Sequence, residues 1–144
     1  MLWSGLMREV QYLALHNPEP KAVLLHVGSN DLGLVKCSVM RHFFRADILQ
    51  LHTMYPNATI CVSAMIPRRD WSRSPIPVPK LEKKRRLLNR FLRRLVVGIG
   101  GRFVAHEDIT ADTPGLYFRD GVHLSDVGSD LFLWSCRNTL EDLA

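Results

Sequence analysis

Apolar residues run from Ala22 to Val27, with His26 the one polar position, bounded by Pro20 on one side and by Gly28, Ser29, Asn30 and Asp31 on the other. A run of this length between helix breakers, followed by a helical pattern, predicts a strand buried on both faces of a parallel sheet. Thr59 to Ile66 repeats the signal with β-branched residues and is broken by Pro67, and Arg102 to His106 predicts a short third strand. Between these runs the apolar spacing changes to about 3.6. Leu6, Val10, Leu13 and Ala14 predict a helix over Gly5 to His16, stopped by Asn17-Pro18. Leu34, Val35, Val39, Phe43, Phe44, Ile48, Leu49 and Leu51 predict a second helix from Leu34 to Met54. Leu81, Leu88, Phe91, Leu92 and Leu95 mark a third over Lys80 to Val97, ended by Gly98, Gly100 and Gly101. Leu131, Phe132, Trp134, Cys136, Leu140 and Leu143 mark a last helix over Asp126 to Leu143. The proline- and serine-rich stretch from Arg68 to Pro79 reads as a loop over the edge where strands end, and Asp108 to Phe118 as a polar loop.

Strands alternating with helices in this way predict an α/β fold of three layers, a parallel sheet between helices joined by right-handed crossovers. At 144 residues the chain is expected to form one domain over 1–144, with neither internal repeat nor linker. A hydrophobic fraction of 47% with 23% charged residues argues against a disordered chain. No apolar run approaches the roughly 18 residues of a membrane span, and Ser4, Gly5, Arg8 and Glu9 interrupt any leader-like core. Cys37, Cys61 and Cys136 lack paired spacing and read as free, buried thiols, which favours a reducing compartment. The expectation is a soluble, cytoplasmic chain.

Charge changes the picture in one place. Arg68 to Arg102 holds twelve Lys or Arg against Asp70 and Glu82, so this window carries +10 and the remainder −5 of a net +5. Lys83, Lys84, Arg85, Arg86, Arg90, Arg93 and Arg94 could form a stripe that contacts the phosphates of a nucleic acid. The same helix has a coherent apolar face that takes up its one aromatic residue, Phe91, so aromatic rings do not stand among the charges, a pattern better suited to a solvated surface.

Two polar clusters carry candidate chemistry. In Asp120-Gly121-Val122-His123 the carboxylate is near enough in sequence to hold one imidazole nitrogen and leave the other as a general base, although Asp-x-x-His is also a common helix-start cluster. Asn30, at the carboxyl end of the first strand, offers an amide NH2 to a developing oxyanion, or simply caps a turn together with Asp31 and Gly33. His26 reads as a packed core histidine, Trp71 as a cleft wall or a loop anchor, and no His, Cys, Asp or Glu grouping has metal-ligand spacing.

Gly28-Ser29-Asn30-Asp31 together with Asp120-Gly121-Val122-His123-Leu124-Ser125 resembles the third and fifth blocks of the SGNH hydrolases, the GDSL-type lipases and esterases. Ser63-Ala64-Met65-Ile66-Pro67-Arg68, Asn89 and Gly128 also sit where that family places them. The resemblance implies a flavodoxin-like α/β/α sandwich that hydrolyses acyl esters with a Ser-His-Asp triad and no cofactor. It further implies His123 as general base, Asp120 as the acid that orients it, and Asn30 as an oxyanion donor, with Gly5 as a second donor through its backbone N–H. The family's nucleophile lies in a Gly-Asp-Ser motif, and that triplet occurs nowhere in the 144 residues. Ser29 is the remaining serine nearest the implied site. The first strand of the family pattern is likewise unmatched, which predicts a chain inactive by itself toward small esters until completed upstream. It also predicts an exposed Ala22 to Val27 edge open to self-association or to a donated strand. A non-catalytic binding module is the alternative.

Overall fold

The computed structural model describes residues 1–143. Its three strands, β1 (Ala22–Leu25), β2 (Thr59–Ser63) and β3 (Arg102–Val104), form one parallel sheet in the order β1-β2-β3. Ala22 pairs with Thr59 and Leu25 with Val62, while Cys61 pairs with Arg102 and Ser63 with Val104. Helices α1 (Leu6–His16), α2 (Cys37–Met54), α3 (Val78–Gly98) and α4 (Asp126–Glu141) alternate with the strands.

The alternation of side chains along β2 builds the layers. Ile60 and Val62 are buried in one cluster with Phe44 and Ile48 of α2 and Leu88 and Leu92 of α3. Cys61 and Ser63 face the opposite side, where α4 brings Cys136 and Phe132. Helices therefore cover both faces, as the alternating pattern predicts. A second small cluster of Ile109, Leu116 and Tyr117, packed against Ile66, Leu124, Leu131 and Phe132, gives the long segment before α4 its own core.

Several boundaries depart from the sequence reading. β1 ends at Leu25 and β2 at Ser63, because the following residues leave the ladder to build the cleft. α2 begins at Cys37 and not Leu34, since the Asp31 carbonyl takes the amides of Leu34 and Val35 into a separate turn. Leu34, Val39, Phe43 and Leu49 are exposed, and the buried stripe of α2 is Met40, Phe44, Ile48 and Leu51. α3 starts at Val78 because proline is tolerated in a first helical turn, where its missing N–H leaves no gap. Trp134, expected on the apolar side of α4, is 60% exposed.

The amino-terminal segment is tied to the loop after β1. Trp3 donates its backbone N–H to Asp31 Oδ2 at 2.9 Å and its indole N–H to Asp47 Oδ2 at 2.8 Å, with its ring against Phe44 at 4.4 Å. Burial raises the pKa of Asp31, and the Trp3 amide pulls it the other way. The Gly-Ser-Asn-Asp loop is thus braced from behind by the acid that follows Asn30.

Candidate active site

Three segments meet at the carboxyl ends of the strands. The first is the turn after β1. Gly28 adopts φ +115°, where an added Cβ would lie 3.2 Å from Met65 Sδ, and this left-handed step turns Ser29–Asp31 into a single 3-10 turn. The second is Ala64 to Asp70. Asn89 of α3 grips the Met65 peptide at both ends, accepting from its N–H and donating to its carbonyl at 2.9 Å each, and Arg85 adds a further bond to that carbonyl. The third is the Phe118–Leu124 hairpin, closed by the Phe118 N–H to His123 carbonyl bond at 2.8 Å. Gly121 joins the last two. With φ +66° it presents its carbonyl to the amides of Arg69 and Asp70 at 2.8 and 3.0 Å, and a Cβ there would come within 2.7 Å of Asp70 Cβ.

In the hairpin, His123 Nδ1 lies 2.6 Å from Asp120 Oδ2, while Asp120 Oδ1 accepts the backbone N–H groups of Val122 and His123 at 2.9 and 3.0 Å. The hydrogen bond from His123, aided by these two amides, holds the Asp120 carboxyl down at about 2. The carboxylate fixes the ring with its proton on Nδ1, so Nε2 is left to accept. The His123 side chain is 76% exposed, and Nε2 has no partner among the described residues. Ser125 caps α4 immediately behind, accepting from the Gly128 N–H.

Asn30 and His123 line the same two adjoining hollows. The larger, about 450 Å³, is walled by Ser29, Asn30, Arg68, Trp71, Val122 and His123 together with the Ser72–Pro75 loop. The smaller, about 250 Å³, adds His26 and Gly28. Asn30 accepts from Arg68 Nη2 at 2.6 Å through Oδ1, and its Nδ2 makes only a long 3.4 Å bond to the Met1 carbonyl. The amide thus keeps N–H capacity at the mouth of the cleft. Arg68 packs its guanidinium on the Trp71 ring at 5.0 Å, so Trp71 is both cleft wall and anchor.

The other sequence candidates fall as follows. Ser29 lines both hollows but makes no hydrogen bond to His123 among the described residues. Gly5 lines neither of these hollows, and its N–H is spent on the Leu2 carbonyl at 3.1 Å, closing a turn. Of the basic helix, Lys83, Arg86, Arg90, Arg93 and Arg94 are exposed. Lys84 is not free for a phosphate, because its ammonium is held by the carbonyls of Leu32 and Val35. No group of three or more His, Cys, Asp or Glu among the described residues could hold a metal ion, and no described helix is long and apolar enough to cross a membrane.

Sequence reasoning missed Arg68 as a cleft residue and missed a second histidine group. Ser63 Oγ lies 2.6 Å from His106 Nε2 and 2.9 Å from His26 Nδ1, with Phe132 against both rings. Burial lowers the His106 pKa to about 4, and partial burial of the His26 ring lowers that of His26 too. His26 is nevertheless not the packed core histidine expected from the sequence but an exposed residue lining the smaller hollow, because β1 ends at Leu25 and the chain leaves the sheet there. The only sequence signal was the polar residues at the ends of three strands.

No family model matches the chain, and no curated protein sequence does. Solved structures match it well. A GDSL-like lipase from Bacteroides thetaiotaomicron superposes with a TM-score of 0.78 at 15% identity, covering 100% of this chain and 73% of its own. A family 3 carbohydrate esterase from Clostridium thermocellum gives 0.73 at 22% identity, covering 99% and 66%. The esterase domain of the ORF1 protein from the zebrafish ZfL2-1 retrotransposon gives 0.61 at 24% identity, covering 93% and 81%. The chain has the fold of the SGNH hydrolases, and spans between two thirds and four fifths of the length of these three.

Proposed function

We propose that this chain is an SGNH-type hydrolase domain whose cleft is built for acyl esters. The observation that carries the reading is the His123–Asp120 pair, joined at 2.6 Å, with Nε2 open to the cleft that Asn30 shares. A serine hydroxyl presented to Nε2 would give up its proton as its oxygen attacks the ester carbonyl. The carbonyl oxygen becomes an oxyanion, for which the Asn30 NH2 is a side-chain donor. His123 then returns the proton to the departing alcohol, and water releases the acid by the same route in reverse. The Gly-Asp-Ser triplet is not among the 144 residues, and Ser29 makes no hydrogen bond to the base among the described residues, so the 144 residues alone are inactive in this reading.

The test is hydrolysis of p-nitrophenyl acetate by the chain, by its His123→Ala variant, and by the chain extended with whatever coding sequence precedes it. Activity only in an extended form, lost in His123→Ala, supports the reading. Turnover by the 144 residues themselves, dependent on Ser29, would replace the missing-serine argument. Failure of every form sinks the enzyme.

A second reading is a binding module that uses the outer face of α3. It is favoured by Lys83, Arg86, Arg90, Arg93 and Arg94 being exposed with no ion-pair partner among the described residues. Titration with single-stranded RNA at two salt concentrations tests it, because phosphate contacts weaken steeply with salt.

A further inference from the structure

Arg68 is more than the cleft needs for an ordinary ester. Its guanidinium carries five N–H donors, and the structure uses one of them, on Asn30 Oδ1. Among the described residues no carboxylate lies within ion-pair distance of it. The side chain is half-buried between the Trp71 ring and the Asn30 amide, and this burial lowers its pKa. Arginine remains charged all the same, so a cation has been drawn partly out of water with no anion to meet it. The neighbouring acids are otherwise engaged: Asp120 is held by His123 and two backbone amides, and Asp70 accepts the Ser72 N–H at 2.7 Å. Arg68 lines both hollows beside Asn30 and His123, within the reach of a single small molecule.

Resting on the ester-hydrolase reading and narrowing it, we infer that the cleft selects esters carrying a carboxylate near the scissile bond, and that Arg68 is the residue that binds this carboxylate. The remaining N–H pair of a guanidinium matches a carboxylate in a two-pronged fashion that a neutral ester cannot supply. The bond to Asn30 Oδ1 gives the same residue a second role. It fixes which end of the amide faces the oxyanion, so anion recognition and oxyanion donation are set by one side chain.

The experiment compares monoethyl succinate with diethyl succinate at pH 8, where histidines are ordinarily neutral, on the 144-residue chain. Binding is followed by NMR at the Trp71 indole N–H and the Asn30 side-chain NH2. The monoester should bind at least about tenfold more tightly than the diester, as expected for a charge-assisted pair. Arg68→Gln should abolish that preference, and Arg68→Lys should retain part of it. Equal binding of the two esters by the unsubstituted chain overturns the inference without need of any variant, as does a preference that survives Arg68→Gln. The outcomes also separate the two proposals. A monoester preference with no hydrolysis by any extended form keeps the anion site and sinks the enzyme. Hydrolysis without a preference does the reverse.

Discussion

Two histidine groups sit at the carboxyl ends of the same sheet and are built in opposite ways. His123 and Asp120 are three residues apart, on one hairpin, with side chains 76% and 48% exposed. Ser63 and His106 are 43 residues apart, on neighbouring strands and the turn beyond, and are 1% and 8% exposed. The first pair is ionised at its carboxylate and wet at its base, which suits a group that must take up and release a proton. The second is neutral and dry. Ser63 has one hydroxyl proton for two rings, so one imidazole must donate to it and the other accept. His106 Nδ1 is buried without a partner. A bare acceptor is tolerated inside a protein better than a bare donor, which assigns the His106 proton to Nε2, donating to Ser63, while Ser63 donates to His26. A further proton on His106 would be a buried donor with nowhere to go. Local, exposed geometry thus suits the proposed chemistry, and long-range, buried geometry suits a structural role.

The sharpest way to break this contrast is to remove one histidine from each group. In a form of the protein that turns over p-nitrophenyl acetate, His123→Ala should cost about 10³-fold or more in kcat/KM. Its thermal midpoint should barely move, since the side chain is 76% exposed and an exposed pair with Asp120 contributes little; a marked fall in midpoint would make His123 structural. His106→Ala should do the opposite. It loses the packing on Phe132 and the bond to Ser63, and urea unfolding should show about 2–4 kcal/mol less stability, with ester binding in the cleft unchanged.

A third comparison needs no substitution. The folded His106 pKa of about 4 lies below the ordinary value of 6.5, so the unfolded chain takes up its proton first as pH falls. The stability this gives is whole above pH 6.5 and is lost on descending toward 4, by about 2–3 kcal/mol. His26 shifts in the same direction, with less weight because of its exposed flank. Urea midpoints that stay flat between pH 7 and pH 4.5 would mean His106 accepts a proton in place. The smallest expected effect is that of Gly121→Ala, which strains φ +66° and crowds Asp70. About 1–2 kcal/mol of stability should go, and exchange broadening in NMR should be confined to the Arg69–Asp70 and Asp120–His123 segments, leaving Ser63 and His106 sharp.

How much was legible beforehand follows the same division. The three strands, the long amphipathic α3 and the Asp120–His123 pair were readable because each is written in neighbouring residues, by period or by spacing. The sequence pattern also placed Asn30 at a strand end. Ser63 with His106 and Asn30 with Arg68 were not readable, because the partners are 43 and 38 residues apart and meet only through the sheet register and the Asn89 clamp on Met65. The start of α2 was misread for a local reason, since the Asp31 carbonyl collects two amides that periodicity assigns to the helix. Gly5 illustrates the limit of analogy: its N–H closes a turn onto Leu2.

The place of β1 at the margin of the sheet has a consequence for time-resolved measurements. In a parallel ladder, alternate residues of a strand point both N–H and C=O toward the same neighbour. Among the described residues β1 has a strand neighbour on one side only, β2. Amide protons from Ala22 to Leu25 should therefore exchange with deuterium in alternation, one residue slow and the next fast, although the strand as a whole is firmly held. That two-beat rhythm is a built-in reporter. Any strand that docks along the outer row, from this chain, a second copy or another protein, would slow the fast beats and turn the alternation into uniform protection.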